Sequence, residues 1–358
     1  MPSRTMTSSF NEIPTIDLSQ ATDPATLPKL LIELRYALTD VGFLYVSNRG
    51  VPKSVVDGLV NALPKLFSLD DEVKKSVALE KSPHFLGYSG VGSENTGRKV
   101  DKREQYEFGT ELTATWHDGL PLSERLRGPN QWPEFDGNFR SVVEEYINEL
   151  SLLGERFLDL IAHALSLSPG TFQPSLSDQH RLKLVYYPEA STGDSENQGV
   201  GPHKDSSGWW TSLLQASPPE VKGLQVLNKA GYWVDVPVVP GTFVVNTGQA
   251  FEVVTNGVCK ATTHRVLSGP HERYSVPFFQ GMRRDLTKAE ATGSLKAHFG
   301  ALAAGKESDE ASAVDSAFLK GKYDTWGESQ LRTKVRSHRE NGKKFYPEVH
   351  ELYINDDA

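Results

Sequence analysis

Apolar residues recur along this chain with two different periods, and the places where the period changes mark out its elements. Ile13-Pro-Thr-Ile-Asp-Leu18 alternates as a strand does, with Pro14 tolerable at a strand start or edge. Leu27, Leu30, Leu31, Leu34 and Leu38 then follow helical spacing up to Gly42, and Phe43-Leu-Tyr-Val-Ser47 reads as a strand. Val55, Val56, Leu59, Val60, Leu63 and Leu66 stripe a second helix, and Ser68-Leu-Asp-Asp71 is the start signature of a third. The clearest helix carries Phe139, Val142, Val143, Tyr146, Ile147, Leu150, Phe157, Leu160, Ile161 and Ala164. Its stripe predicts a long spine packed against a sheet.

Beyond the spine the period shortens. Arg181 to Tyr187 alternates into a strand that stops at Pro188, and Gly223–Leu227, Tyr232–Val236, Thr242–Asn246 and Phe251–Val254 are short apolar runs. Lys229-Ala-Gly231, Pro240-Gly241 and Asn256-Gly257 punctuate them as turns. Many short strands at close spacing predict a double-sheet jelly roll. Residues 84–109 read as a long Gly- and Ser-rich loop ending in a short strand at Gln105–Phe108, and loops of that length within a domain are often functional. Past Gly281 the pattern weakens; 300–313 reads as a surface connection and Phe318–Ser337 as helix. The expectation is a mixed α/β fold with a mainly β core, a double-stranded β-helix flanked by helices at both termini. Residues 1–135 form an N-terminal module, 136–285 the spine and jelly roll, and 286–358 a helical extension packed on the core.

Composition narrows the function classes. With 38% hydrophobic and 23% charged residues the chain of 358 is an ordinary globular one. A net charge of −8 without a long basic block argues against a nucleic-acid partner. Cys259 is the single cysteine, so a disulfide-built fold is excluded and a reducing, cytoplasmic setting is expected, with Cys259 read as a small buried hydrophobe. The first ten residues lack the apolar stretch of a signal sequence and no run of about 18 apolar residues occurs, so no membrane partner is expected. Nothing in the pattern specifies an oligomeric state.

The chemistry is concentrated in Gly201-Pro-His-Lys-Asp205. On an extended backbone His203 and Asp205 project from one face, so imidazole and carboxylate can close on one ion. By itself such a pair is weak evidence, being equally an ordinary polar pair at a strand start. Thr262-Thr-His-Arg-Val-Leu267 offers His264 as a third ligand, and two histidines with one carboxylate make the facial triad that holds non-haem Fe(II) and leaves positions open. Nine residues after His264 comes Arg273-Tyr-Ser275, again an i, i+2 pair on a strand with apolar flanks. An arginine fork beside a hydroxyl is a carboxylate clamp.

Residues Gly201 to Gln280 resemble the core of the 2-oxoglutarate/iron(II)-dependent dioxygenases of the isopenicillin N synthase-like type, whose pattern is His-x-Asp, a long gap, His, then Arg-x-Ser nine residues on. Gly42-Phe-Leu-Tyr-Val-Ser-Asn48 and Gly50-Val-Pro52 resemble that family's N-terminal module. The resemblance implies that His203, Asp205 and His264 bind Fe(II) and that Arg273 and Ser275 hold the distal carboxylate of 2-oxoglutarate. It also implies that an organic small molecule is oxidised with O2 as the ketoacid becomes succinate and CO2. Hydroxylation is the default outcome; desaturation and ring rearrangement are open to the same chemistry, and specialised metabolism is the expected setting. Tyr187 matches a tyrosine that contacts the cosubstrate, but Val185 stands where relatives carry an asparagine, so one polar contact is missing. Thr211 lies one residue later than in relatives, which implies a bulge that re-aims Trp209 or Trp210 toward the substrate. Tyr88 and Tyr106, in a stretch that passes the substrate mouth, are further candidates for its lining. These aromatic residues suggest an apolar or cyclic substrate.

Rival readings remain open on the residues alone. Isopenicillin N synthase and aminocyclopropane-carboxylate oxidase keep an Arg-x-Ser without using 2-oxoglutarate, so the clamp specifies a carboxylate and not which one. A zinc hydrolase could use the same three ligands but leaves Arg273 and Ser275 idle. A non-catalytic jelly-roll binding protein with a vestigial metal site is the remaining alternative.

Overall fold

The computed structural model describes residues 9–96, 99–190, 198–206, 208–303, 316–321 and 323–356. The early strands are β1 (Thr15–Asp17), β2 (Phe43–Ser47), β3 (Gly87–Ser89), β4 (Asn95–Thr96), β5 (Lys99–Val100) and β6 (Glu104–Gly109). After the spine follow β7 (Arg181–Tyr187), β8 (Gln198–His203), β9 (Trp210–Gln215), β10 (Leu224–Leu227), β11 (Trp233–Asp235), β12 (Phe243–Thr247), β13 (His264–Leu267) and β14 (Arg273–Phe279). An eight-stranded sheet runs β1-β2-β12-β9-β14-β7-β6-β3, and a four-stranded sheet runs β11-β10-β13-β8. Every pairing in the two sheets is antiparallel except β1 with β2. This is the jelly roll, with β1, β2, β3 and β6 extending its larger sheet.

The larger sheet is covered on both faces, which explains why its strands read as nearly continuous apolar runs. Leu44, Val46, Tyr106, Phe108, Leu182, Leu184, Phe243, Val245, Val276 and Phe278 face the helical layer and join one core with Phe139–Ala164. The alternate residues Phe43, Tyr45, Val185, Tyr187 and Val244 face the smaller sheet and pack on Val200, Leu224, Val226 and Val266. With a period of 2, each strand thus feeds two cores.

Several elements depart from expectation. Phe251–Val254 lies in a helix, Gln249–Val254, rather than a strand. A four-residue apolar run carries no period, and here the Gln249 N–H donates to the Asp205 carbonyl at 2.9 Å while Phe251 packs on Phe172 and Trp209. Phe318–Ser337 divides into Ala317–Lys320 and Trp326–Ser337, the second opened by a capping box of Thr325 and Glu328. The helix Leu27–Tyr36 ends through a π turn at Ala37–Val41, closed by Gly42 at φ 74°. A side chain at Gly42 would meet the Lys260 carbonyl and Thr262, so only glycine lets β2 start there. Among the described residues no helix is long and apolar enough to cross a membrane.

Candidate active site

Strand pairing assembles the three candidate ligands. His264 opens β13 directly opposite His203 at the end of β8, and Asp205 follows in the turn that leads to β9. The Asp205 Oδ1 atom lies 3.5 Å from His203 Nε2 and 3.6 Å from His264 Nε2. One donor atom from each residue falls within 4.8 Å of the others, close enough to surround one ion.

Hydrogen bonds behind these atoms set their chemical state. His203 Nδ1 donates to the Gly201 carbonyl at 2.8 Å and His264 Nδ1 to the Thr262 carbonyl at 3.2 Å, so both Nε2 lone pairs point at the shared space. Asp205 Oδ2 accepts from the Thr211 hydroxyl and from Asn246 Nδ2, the latter at 2.7 Å, which aims Oδ1 inward. Burial opposes the Asp205 charge, but His264, His203 and Thr211 outweigh it and hold the carboxyl far below its usual range. Burial and then the neighbouring His203 push His264 down to about 4 against the pull of Asp205, so it stands as neutral imidazole, the ligating form. Sequence reasoning assigned Asn246 no chemistry. The readable signal was a polar residue inside the apolar run Phe243–Thr247, next to Thr211 across the sheet. Asn246→Ala and Thr211→Val are each expected to lower iron affinity roughly 10–100-fold while the fold is kept, measured by iron titration.

The second constellation lies in the same cavity, of about 430 Å³. Arg273 pairs with Tyr187 across β14 and β7, and Ser275 with Val185. The Arg273 guanidinium sits 5.0 Å from the Tyr187 ring and donates from Nη2 to Gln215 at 3.2 Å. Its Nε and Nη1 are buried without a partner, and burial lowers its pKa, with Tyr187 acting the other way. A buried half-satisfied guanidinium is costly unless an acid completes it. The residues present therefore fit a dicarboxylate reaching from the triad to the fork.

The four aromatic candidates lie elsewhere. Tyr106 and Trp210 have the strand parity of the helix-facing core and are 0% and 1% exposed, Trp210 edge-on to Phe157. Trp209 is 0% exposed, packed on Phe172 and Phe251, with its backbone N–H donating to the Gln280 carbonyl at 2.9 Å. Before it Gly208 takes φ 79°, where a Cβ would strike that carbonyl; Ser207, in the expected bulge, lies outside the described residues. Tyr88 bonds Glu104 through its hydroxyl and lines a separate cavity. Among the described residues, the triad-bearing cavity is lined by Phe43, Tyr187, Phe279, Val185, Leu213 and Val266 together with a set of charged side chains, and none of the four aromatic candidates is part of that lining.

A jelly roll with two histidines and a carboxylate at one end, and an unsatisfied arginine fork in the same cavity, defines a non-haem iron oxygenase that takes an acid cosubstrate. Comparison with known proteins agrees. Residues 13–135 match the family described as non-haem dioxygenase in morphine synthesis N-terminal, and residues 179–281 match the 2OG-Fe(II) oxygenase superfamily. The 2-oxoglutarate-dependent dioxygenase frbJ of Dothideomycetidae sp. (strain 11243) is 41% identical, over 95% of this chain and 94% of that protein. The homoarginine-6-hydroxylase 2-ODD-C23 of Glycine max is 31% identical over 76% of this chain and 86% of its own length. JOX2, solved in complex with 2OG, Fe and JA, superposes with a TM-score of 0.62 at 27% identity, covering 77% of this chain and 76% of that one. Full-length Neurospora crassa T7H with alpha-KG shares the fold at a TM-score of 0.67 and 24% identity, over 82% and 94% of the two chains. The chain belongs to the 2-oxoglutarate- and iron(II)-dependent oxygenases and acts on an organic small molecule. The oxidase, hydrolase and binding-protein alternatives are not favoured.

Proposed function

We propose that His203, Asp205 and His264 hold the iron, that Arg273, Ser275 and Tyr187 hold 2-oxoglutarate, and that the enzyme hydroxylates a small molecule of specialised metabolism. The observation that carries the assignment is the buried Arg273 fork with Nε and Nη1 unpartnered in the triad's own cavity. Bound iron(II) and 2-oxoglutarate supply the oxidising power, O2 being consumed as the ketoacid is cleaved to succinate and CO2. The protein's share is positioning and shielding. Gly201 and Thr262 carbonyls fix the two imidazoles, Thr211 and Asn246 fix the carboxylate, and Phe43 packs edge-on against His264 at 5.2 Å. Val185, Leu213, Leu224 and Val266 line the passage between triad and fork with apolar surface that excludes water. A relative named for hydroxylating homoarginine supports hydroxylation as the outcome. The division at 1–135, 136–285 and 286–358 is part of this reading: the first segment extends the sheet, the second carries triad and fork, and the last covers the cavity. A cytoplasmic setting is proposed on the single cysteine of the chain, Cys259, which is buried and in no disulfide.

Oxygen uptake and succinate should both require added 2-oxoglutarate, and both should vanish in His203→Ala. Uptake independent of the ketoacid, or succinate that survives the substitution, would overturn the assignment.

A further inference from the structure

Away from the triad and the fork, the cavity is lined by Glu107 of β6, Arg181 and Lys183 of β7, Glu94 and Arg103 from the segments before β6, and Lys334 and His338 at the end of helix Trp326–Ser337. Glu94 accepts from Arg103 at 2.5 Å and from Gln105 at 2.7 Å, and His338 Nε2 stands 3.2 Å away. Glu107 accepts from Arg181 at 3.2 Å and from Lys334, and Asp101 lies 3.5 Å from Arg103. In this ion-paired cluster, among the described residues, four cations, Arg103, Arg181, Lys183 and Lys334, meet three carboxylates, Glu94, Asp101 and Glu107, before His338 is considered. Arg181 is saturated by Glu107 and the carbonyls of His84, Phe85 and Leu126. Lys183 is not: its ammonium is 3.8 Å from both Glu94 and Glu107, too far to donate, and it has no hydrogen-bond partner among the described residues. Lys183 is thus ion-paired with two carboxylates but spends none of its N–H donors on them, and a half-buried ammonium with unfilled donors takes a further acceptor.

We propose that the substrate is an organic acid whose carboxylate docks on Lys183 with Lys334 beside it. The proposal rests on the oxygenase reading of the same cavity and specifies what that reading leaves open. Burial, and after it the charges of Arg181 and Lys183, pushes Lys334 down to about 8 against the pull of Glu107. This seat is distinct from the cosubstrate fork. Lys183 is four residues along β7 from Tyr187, the cross-strand partner of Arg273, a separation of roughly 13 Å. Two strand spacings, roughly 10 Å, separate β7 from β9, where Thr211 holds Asp205, so an acid anchored on Lys183 must be long enough to span the gap between that anchor and the triad. The Lys334 helix presents Gln330, Thr333, Lys334 and Ser337 to the cavity at helical spacing, which closes the site over that acid.

The test uses full-length protein loaded with zinc(II), which the same donor set accepts, and with N-oxalylglycine, a non-reacting 2-oxoglutarate analogue that fills the fork. Acetate and its neutral isostere acetamide are then titrated by saturation-transfer NMR. Acetate should bind saturably and acetamide should not, and Lys183→Met should weaken acetate at least about tenfold, the share of one charge-assisted hydrogen bond. Should Lys183→Met fold poorly, Gln330→Glu, which places an acid one turn before Lys334, should weaken acetate several-fold. Equal binding of acetate and acetamide, or acetate binding unchanged in the variant, would overturn the proposal. Failure of N-oxalylglycine to bind would instead count against the cosubstrate assignment and leave a different signature.

Discussion

Asp205→Ala is expected to leave a folded protein that retains no iron after desalting and makes no succinate. Three effects add in this position. The carboxylate is the only anionic donor of the cluster, and its Oδ1 is the atom both histidine Nε2 atoms approach, at 3.5 and 3.6 Å. Removing it leaves two neutral imidazoles, a set far weaker toward a hard divalent ion. It also strands the Thr211 hydroxyl and Asn246 Nδ2, which both converge on Oδ2. The loss should therefore exceed the roughly 10–100-fold that follows deletion of an outer hydrogen-bond partner. Metal content by atomic absorption and succinate yield check it; iron retained at wild-type occupancy would remove Asp205 from the ligand set.

The proposed metal ligands and the proposed fork can be read from the sequence because their geometry is local. His203 with Asp205, and Arg273 with Ser275, are i, i+2 pairs, and a strand needs no tertiary knowledge to put them on one face. The spine was legible for the same reason, since a stripe from Phe139 to Ala164 can bury only one way. The charged lining of the cavity is not legible from alternation alone, which finds strands without saying which face is interior. In Arg181-Leu-Lys-Leu-Val-Tyr-Tyr187 the polar positions share a face with Val185 and Tyr187, so they look into the jelly roll and not into solvent. Cross-strand pairing of Glu107 with Lys183 and of Tyr106 with Leu184 then puts the acid in the cavity and the aromatic ring in the core. Alternation of charged and apolar residues ordinarily marks a wet face, and only the smaller sheet opposite shows that this one is interior. Lys334 and His338 were beyond reach, because nothing local in a C-terminal helix says which cavity it covers.

Arg273→Met should separate binding from stability. Two charge-assisted hydrogen bonds to a carboxylate are lost, each worth roughly 1.5–3 kcal/mol, so 2-oxoglutarate should bind roughly 10²–10⁴-fold more weakly at fixed iron. Stability without ligand should move the other way. In the free protein Nε and Nη1 are buried and unpartnered, and burial already drags the guanidinium pKa down, so methionine removes an uncompensated charge of similar volume. Gln215 loses its contact with Nη2 but still donates to the carbonyls of Val236 and Pro237, which limits the collateral cost. The ligand-free Tm should thus stay level or rise while iron uptake through His203, Asp205 and His264 is unchanged. Arg273→Lys should recover only part of the affinity, since an ammonium restores charge without the fork. A fall in ligand-free Tm with cosubstrate affinity preserved would mean that Arg273 holds the sheet together and that the acid binds elsewhere.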